Sequence, residues 1–156
     1  MKRSEHLEPL SHDHYEGLLI AGRIRKGLSR QASPEVMAAY VAHFWESHLA
    51  RHFHQEEALL LPLLSGMGEA TLAERLVDEH RLIRELVTQA REAADGTAQK
   101  LAELSDRMKA HIRFEERELF PALEAQIPEA TLRKIGAQLQ ATRIDADLSW
   151  DPAFWE

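Results

Sequence analysis

Cysteine is absent from this chain of 156 residues, so thiolate zinc sites, iron–sulfur clusters and disulfides are all excluded. Basic residues are also few: 19 Lys and Arg stand against 26 Asp and Glu, and the net charge of −7 offers no basic surface for nucleic acid. No apolar run approaches the ~18 residues of a transmembrane helix, and the N-terminus lacks the apolar core of a secretory signal before Asp13. We therefore expect a cytoplasmic protein with no nucleic-acid or membrane partner, in which imidazole and carboxylate groups must hold any metal.

Helical periodicity dominates the sequence, whereas few stretches alternate with a period of two. It predicts four long helices over residues 5–28, 34–64, 70–94 and 97–126, then a shorter helix over residues 128–142. Short loops between long helices make consecutive helices antiparallel. The predicted fold is therefore all-α: an up-down-up-down antiparallel four-helix bundle with a short extra C-terminal helix and an irregular tail. We expect a bundle domain over residues 1–143 and an acidic, aromatic tail over residues 144–156, which either packs over the bundle or binds a partner.

One motif occurs twice in the chain, first at His52 and again at His111. In each copy a Glu follows four residues after the His, a second Glu comes next, and a Pro lies ten residues after the His. Residues four apart share one face of a helix, so His52 with Glu56, and His111 with Glu115, can each bind one site. Each copy is preceded on another helix by an acidic residue and a His, namely Asp13-His14 and Glu79-His80. Four His and two Glu meeting inside a helical bundle predict a dinuclear metal centre.

The candidate ligands lie on the apolar faces of the predicted helices and not on solvated faces. The stripes include Leu10, His14 and Ala21 in the first helix; His52, Glu56, Leu59 and Leu63 in the second; Leu76, His80 and Ile83 in the third; and His111, Glu115, Leu119 and Ala122 in the fourth. A buried carboxylate without a partner is very costly, and a metal between the two carboxylates would supply the missing charge. His12 and Glu16 have the same spacing but lie off the stripe, so we interpret them as a surface pair. Pro62 and Pro121 should kink the last turns of their helices.

Several short segments carry a family resemblance: Leu10-Ser11-His12-Asp13-His14, His52-Phe53 with Glu56-Glu57, Glu79-His80, and His111 with Glu115-Glu116 and Leu119-Phe120-Pro121. Over residues 7–126 they resemble the hemerythrin-like, or HHE cation-binding, family. The resemblance implies a non-haem di-iron centre with an oxo or hydroxo group as a third bridge. It further implies that His14 and His52 bind one iron, that His80 and His111 bind the other, and that Glu56 and Glu115 bridge the two. Zinc or manganese could occupy the same ligands in isolated protein.

The sequence departs from the oxygen-carrying hemerythrins on its third helix. Where those proteins place a second His four residues after the first, this chain has Arg84, which implies a more open centre or a replacement ligand. His48 is the candidate replacement, because it lies one turn before His52; its alternative role is that of a hydrogen-bond partner outside the ligand set. Metal-bound imidazoles need partners for their N–H groups, and Glu57 and Glu116 are candidates for that role.

Three functional hypotheses follow from an open di-iron centre, which can bind O₂, NO or peroxide. The first is a binding protein for sensing, scavenging, or iron and redox homeostasis. The second is a di-iron oxidoreductase or iron-centre repair protein, which would need an external electron donor because the chain has no flavin, haem or cysteine-pair motif. The third is a structural or interaction bundle with a static metal, against which an open ligand position argues. Whether the chain is an enzyme stays open at this point.

Overall fold

A computed structural model describes residues 2–92 and 95–156, and within those residues it contains five helices and no strands. Three helices are continuous: α1 spans Glu8–Ser29, α3 spans Ala70–Glu92 and α5 spans Glu129–Ala141. The other two are built from successive segments. α2 consists of Pro34–Phe44, the π-helical turn Trp45–Leu49, Ala50–Leu59 and, after Leu60, Leu61–Gly66. α4 consists of Thr97–Phe114, the π-helical turn Glu115–Leu119 and Phe120–Gln126.

The first four helices pack as an antiparallel bundle, in which α4 contacts α1 and α3, and α2 contacts α3. Ser33 caps α2 by accepting a hydrogen bond of 3.3 Å from the N–H of Val36. Gly96 precedes α4 with a φ of 78°, a conformation that glycine adopts without strain. The predicted all-α bundle with a short fifth helix is confirmed, while the predicted end of the third helix at residue 94 lies outside the described residues. None of the described helices has the length and apolar character that a membrane span requires.

Both prolines of the repeated motif alter the helix that carries them. Pro121 has no N–H, and just before it α4 widens into a π-helical turn, in which the Phe120 N–H bonds to the carbonyl of Glu115. Before Pro62, α2 is interrupted at Leu60 and begins again one residue later. These changes shift the buried face, so the predicted stripes were wrong at three positions beyond the two glutamates. Leu60, Leu64 and Leu123 are buried in place of Leu59, Leu63 and Ala122, whereas Leu119 is buried as predicted.

The core consists of two apolar clusters separated by a buried polar layer. One cluster includes Ile20, Tyr40 and Leu101, and the other includes Leu10, Leu64 and Phe120. Along α1, Leu10 of one cluster and Ile20 of the other flank the buried polar residues of that helix. The polar layer is therefore shielded from water at both ends by apolar side chains.

The C-terminal tail packs over the cluster that contains Tyr40. The centroid of the Tyr40 ring lies 5.7 Å from that of Trp150, 5.1 Å from that of Phe154 and 5.7 Å from that of Trp155. Arg23 joins the tail to α1, because its guanidinium lies 4.0 Å from the Trp155 ring centroid and donates to the Tyr40 hydroxyl at 3.1 Å. Packing on the bundle, one of the two roles considered for the tail, is therefore observed.

Candidate metal centre

Four histidines and two glutamates meet in the polar layer between the two clusters. α1 and α3 each contribute one histidine, while α2 and α4 each contribute a histidine and, one turn later, a glutamate. No more than 4% of any of the six residues is exposed: His14, His52, Glu56, His80, His111 and Glu115. The bundle thus brings together all six residues predicted from the sequence.

Each glutamate lies between imidazoles of different helices. Glu56 Oε1 is 3.1 Å from Nε2 of His52 and 3.2 Å from Nε2 of His80. Glu115 Oε2 is 3.2 Å from Nε2 of His14, and its Oε1 contacts Nε2 of His111. Two donor sets result, each with its donor atoms within 4.8 Å of one another: His14, His52, Glu56 and Glu115 in one, and His80, His111, Glu56 and Glu115 in the other. Because the two sets share both carboxylates, the arrangement suits two adjacent ions with carboxylates between them.

The donor atoms that face the middle of this cluster have no hydrogen-bond partner among the described residues. They are the Nε2 atoms of the four histidines and both carboxylate oxygens of Glu56 and of Glu115. Buried polar atoms are nearly always paired, and an unpaired buried carboxylate is particularly costly. A cation among these atoms would satisfy all of them at once, so the residues fit a bound metal.

The electrostatics of the cluster also require positive charge between the carboxylates. Burial alone would lower the pKa of His111, but the neighbouring carboxylates, Glu115 first and then Glu79 and Glu56, together outweigh burial and raise that pKa to about 10. Burial would likewise raise the pKa of Glu115, yet His111, together with Glu56 and His14, holds it well below its usual range. Neighbouring carboxylates similarly raise the pKa values of His14, His52 and His80 against the effect of burial. Protonated imidazoles can take the place of part of the charge that a metal would bring.

A ring of four further carboxylates surrounds the cluster and orients its imidazoles. A carboxylate can only accept here, so each Nδ1 carries the proton and leaves the lone pair of Nε2 directed at the middle of the cluster. Each carboxylate comes from the preceding helix around the bundle, and it neighbours one of the six central residues in sequence. The pairs are Glu116 with His14 at 3.3 Å, Asp13 with His52 at 2.9 Å, Glu57 with His80 at 2.8 Å and Glu79 with His111 at 2.8 Å.

Replacing Glu79 with alanine is expected to weaken metal binding about 10–100-fold, the usual cost of losing an outer partner of a metal-bound histidine. The matched control is Glu118→Ala, because Arg75 pairs with both carboxylates, at 2.7 Å and 3.1 Å, while only Glu79 contacts an imidazole. Competition with a chelator of known affinity measures the effect. Equal losses in both variants would show that Arg75, and not His111, is the partner that matters.

Arg84 and His48, the two residues at which an altered ligand set was considered, both lie outside the donor sets. Arg84 makes a two-pronged contact with Glu57, at 2.8 Å and 3.1 Å, and so supports the carboxylate that holds His80. Nε2 of His48 lies 3.5 Å from Asp13 Oδ1, and Asp13 is the partner of His52. His48 thus lies outside both central donor sets, and neither of its ring nitrogens has a hydrogen-bond partner among the described residues, so the alternative role of hydrogen-bond partner is not observed either.

The interpretation of His12 and Glu16 as a surface pair was wrong for Glu16. His12 is exposed, but only 6% of Glu16 is accessible to solvent. His48 from α2 lies 2.5 Å from the Glu16 carboxylate, and the backbone of Ala146 in the tail hydrogen-bonds to it. These contacts are distant in sequence, so the periodicity of the first helix could not indicate them.

Two phenylalanines that sequence reasoning did not assign to the centre stack on its imidazoles. The Phe53 ring lies nearly parallel to that of His80, with 3.9 Å between centroids, and the Phe120 ring lies parallel to that of His14 at 5.4 Å. Both belong to the repeated motif: Phe53 follows His52, and Phe120 precedes the second proline. A hydrogen bond to Nδ1 still allows an imidazole ring to tilt. Stacking against a phenylalanine ring fixes the ring plane as well.

A small cavity of about 20 Å³ adjoins one side of the cluster. Three of the central imidazoles border it, those of His14, His52 and His111, together with Asp13. The remaining lining is apolar: Gly17, Ile20, Val41, Trp45, Leu49, Phe53, Ile83, Val87, Met108 and Ile112. The cavity exceeds the ~10–15 Å³ needed for one water-sized molecule, but its walls offer few hydrogen bonds.

Comparison with known proteins agrees with this centre. Residues 71–143 match the family model of the hemerythrin HHE cation-binding domain, and this segment contains His80, His111 and Glu115. No curated protein and no solved structure matches the chain. The predicted resemblance is confirmed by the match, and the match together with the buried His and Glu clusters identifies a metal-binding protein.

Proposed function

We propose that this hemerythrin-like, metal-binding chain holds two iron ions and binds a small diatomic molecule, O₂ or NO, in the cavity beside them. His14 and His52 would hold one ion, His80 and His111 the other, and Glu56 and Glu115 would lie between the two. The observation that carries the proposal is the convergence of unpaired buried imidazole and carboxylate atoms, among the described residues, next to an apolar cavity.

The donor set supports iron over the alternatives. Mixed imidazole and carboxylate ligands without sulfur suit iron, manganese and zinc, and four neutral imidazoles favour iron or zinc over manganese. Bound iron would supply reversible oxidation and affinity for diatomic ligands, which zinc does not supply. A purely structural metal would need no cavity for a small ligand beside it. The presence of the cavity therefore favours iron, the redox-active ion, over zinc.

The lining of the cavity supports a diatomic ligand over peroxide. O₂ and NO are small and nearly apolar, so they lose little when they leave water for a space bordered by Ile83, Val87 and Ile112. Peroxide would give up hydrogen bonds that these walls cannot replace. The chain's contribution is therefore to fix the imidazoles, exclude water and admit one small molecule. A role in sensing or scavenging follows, and return of oxidised iron to the ferrous state would need an electron donor outside this chain.

Metal analysis of protein produced with iron, combined with its visible spectrum, tests the proposal. About two irons per chain are expected by analogy with other carboxylate-bridged bundles. The near-ultraviolet absorption should change on reduction, change again on adding NO, and return after reoxidation in air. One ion per chain, or a spectrum unaffected by reduction and NO, would contradict the dinuclear iron assignment.

Replacing Gly17 with alanine is expected to weaken binding of the diatomic ligand while iron content stays the same. A Cβ at this position would point into the cavity lining, 3.2 Å from Cδ1 of Ile112 and 3.8 Å from Cε of Met108. Gly22→Ala is the matched control on the same helix, because apart from its chain neighbours and the adjoining helix backbone no described atom lies within 4 Å of its added Cβ. NO titration of the reduced proteins measures the difference. Equal affinities in the two variants would place the ligand elsewhere.

A further inference from the structure

A second buried cluster of ligand-type side chains lies beside the central one. It consists of Asp13 and Glu16, one turn apart on α1, and His48 in the π-helical turn of α2. Only 6% of Asp13, 6% of Glu16 and 1% of His48 is exposed. Single π-helical turns inside α-helices occur frequently at functional sites. The family resemblance assigned no role to Glu16, and His48 lies outside both central donor sets.

The contacts within this cluster are too close to be incidental but are not hydrogen bonds. His48 Nε2 is 2.5 Å from Glu16 Oε2 and 3.5 Å from Asp13 Oδ1. Within the described part of the chain, both ring nitrogens of His48 and Oε2 of Glu16 nevertheless lack a hydrogen-bond partner. Each of the three side chains still offers one ligand atom, and these atoms lie within 4.8 Å of one another. The central cluster has the same property.

A group with positive charge would suit this cluster. Asp13 and Glu16 are both buried, and a buried carboxylate without a partner is costly. A cation among the three side chains would stabilise both carboxylates and accept the imidazole lone pair of His48.

We propose that Asp13, Glu16 and His48 form a third metal site, mononuclear and separate from the iron pair. Its ligands would be Nε2 of His48, Oε2 of Glu16 and Oδ1 of Asp13, a set that suits a divalent first-row ion such as Mn²⁺, Fe²⁺ or Zn²⁺. With three protein ligands the ion keeps room for water, so it would exchange more readily than the central pair. The half-exposed His12, whose Nε2 lies 3.6 Å from Glu16 Oε1, marks the side on which this site approaches solvent.

Asp13 connects the third site to the proposed iron pair. Its Oδ2 accepts from Nδ1 of His52 at 2.9 Å, while its Oδ1 faces His48. An ion at the third site would therefore draw charge from the carboxylate that orients His52. Occupancy of this site would adjust the ligand strength of one central imidazole without a change in the central ligand set.

Titration of the iron-loaded full chain with Mn²⁺ tests the site, because free Mn²⁺ has an electron paramagnetic resonance signal that is lost on binding. Iron plus manganese should reach three ions per chain in the natural protein, one more than the two that the paired centre holds. His48→Ala and the isosteric Glu16→Gln should each lose that one ion and keep the iron of the pair. His54→Ala is the control, because His54 is exposed on the same helix and should retain all three.

The outcomes separate this inference from the proposed function. A total that stays at two in the natural protein, or binding by His48→Ala equal to that of His54→Ala, would overturn the third site and leave the iron pair untouched. Loss of the pair's visible absorption in Glu16→Gln would also overturn it, since the cluster would then be part of the central site. An anomalous scattering peak between His48 and Glu16 in a crystal of the Mn²⁺-treated protein would support it.

Discussion

Replacing Glu115 with alanine is expected to leave the protein with almost no bound iron at the central pair. This carboxylate contributes to both donor sets, contacts His111 and lies 3.2 Å from His14, so its loss weakens both ions together. The loss should exceed the ~100-fold that marks the upper end for removing an outer partner. Iron content after desalting against a weak chelator, with the visible spectrum, measures the effect.

Two further variants make this result specific. Glu118→Ala removes an exposed glutamate from the same π-helical turn and should keep the iron of the natural protein. His52→Ala removes a ligand candidate from only one donor set, so it should keep more iron than Glu115→Ala does. If Glu115→Ala and Glu118→Ala retained equal iron, the assignment of a shared carboxylate would be wrong. Circular dichroism confirms that each variant remains helical.

The central cluster could be predicted from the sequence because local rules determine most of it. His52 with Glu56, and His111 with Glu115, share a helix face by their spacing alone, and the apolar residues around them show that this face is buried. Because the motif is duplicated, the first two helices and the next two could be expected to contribute equivalent ligands. Placing His14 and His80 opposite these pairs required only that short loops make consecutive helices antiparallel.

Most of the register beyond the two glutamates, Leu119 excepted, could not be predicted in the same way. An uninterrupted α-helix would bury Leu59, Leu63 and Ala122, whereas the structure buries Leu60, Leu64 and Leu123. A proline removes one N–H donor, but whether the helix responds with a π-helical turn or with a break depends on how its neighbours pack. The prolines occupy equivalent positions in the two copies of the motif, but the helix is interrupted before Pro62 and forms a π-helical turn before Pro121.

Contacts between distant segments account for the other differences. Glu16 lies off the apolar stripe of α1, yet it is buried because His48 and the tail cover it. Of the four outer carboxylates, Glu57 and Glu116 were predicted as imidazole partners, whereas no such role was predicted for Asp13 and Glu79. Which imidazole each outer carboxylate contacts depends on the order of the helices around the bundle. The sequence pattern of a single helix does not determine that order.

Removing the metal is expected to lower the melting temperature of the protein by roughly 10 °C. Without a cation, Glu56 and Glu115 remain fully buried beside donors that cannot all satisfy them, which costs several kcal/mol. About 2–4 °C is lost per kcal/mol in a domain of this size. Protonation of His111, whose pKa is raised to about 10, replaces part of the lost charge and keeps the apoprotein folded. Differential scanning calorimetry of iron-loaded and chelator-treated protein measures the shift.

The Glu115→Ala variant provides the control for this shift, because it should hold no central metal to remove. Its melting temperature should therefore be the same with and without chelator, and it should not fall to that of a fully depleted natural protein, since one of the two costly carboxylates is gone. A natural protein whose melting temperature did not change on losing its iron would mean that the imidazoles alone stabilise the buried carboxylates. The metal would then contribute to ligand binding only, and the bundle would be a scaffold that folds completely before the metal binds.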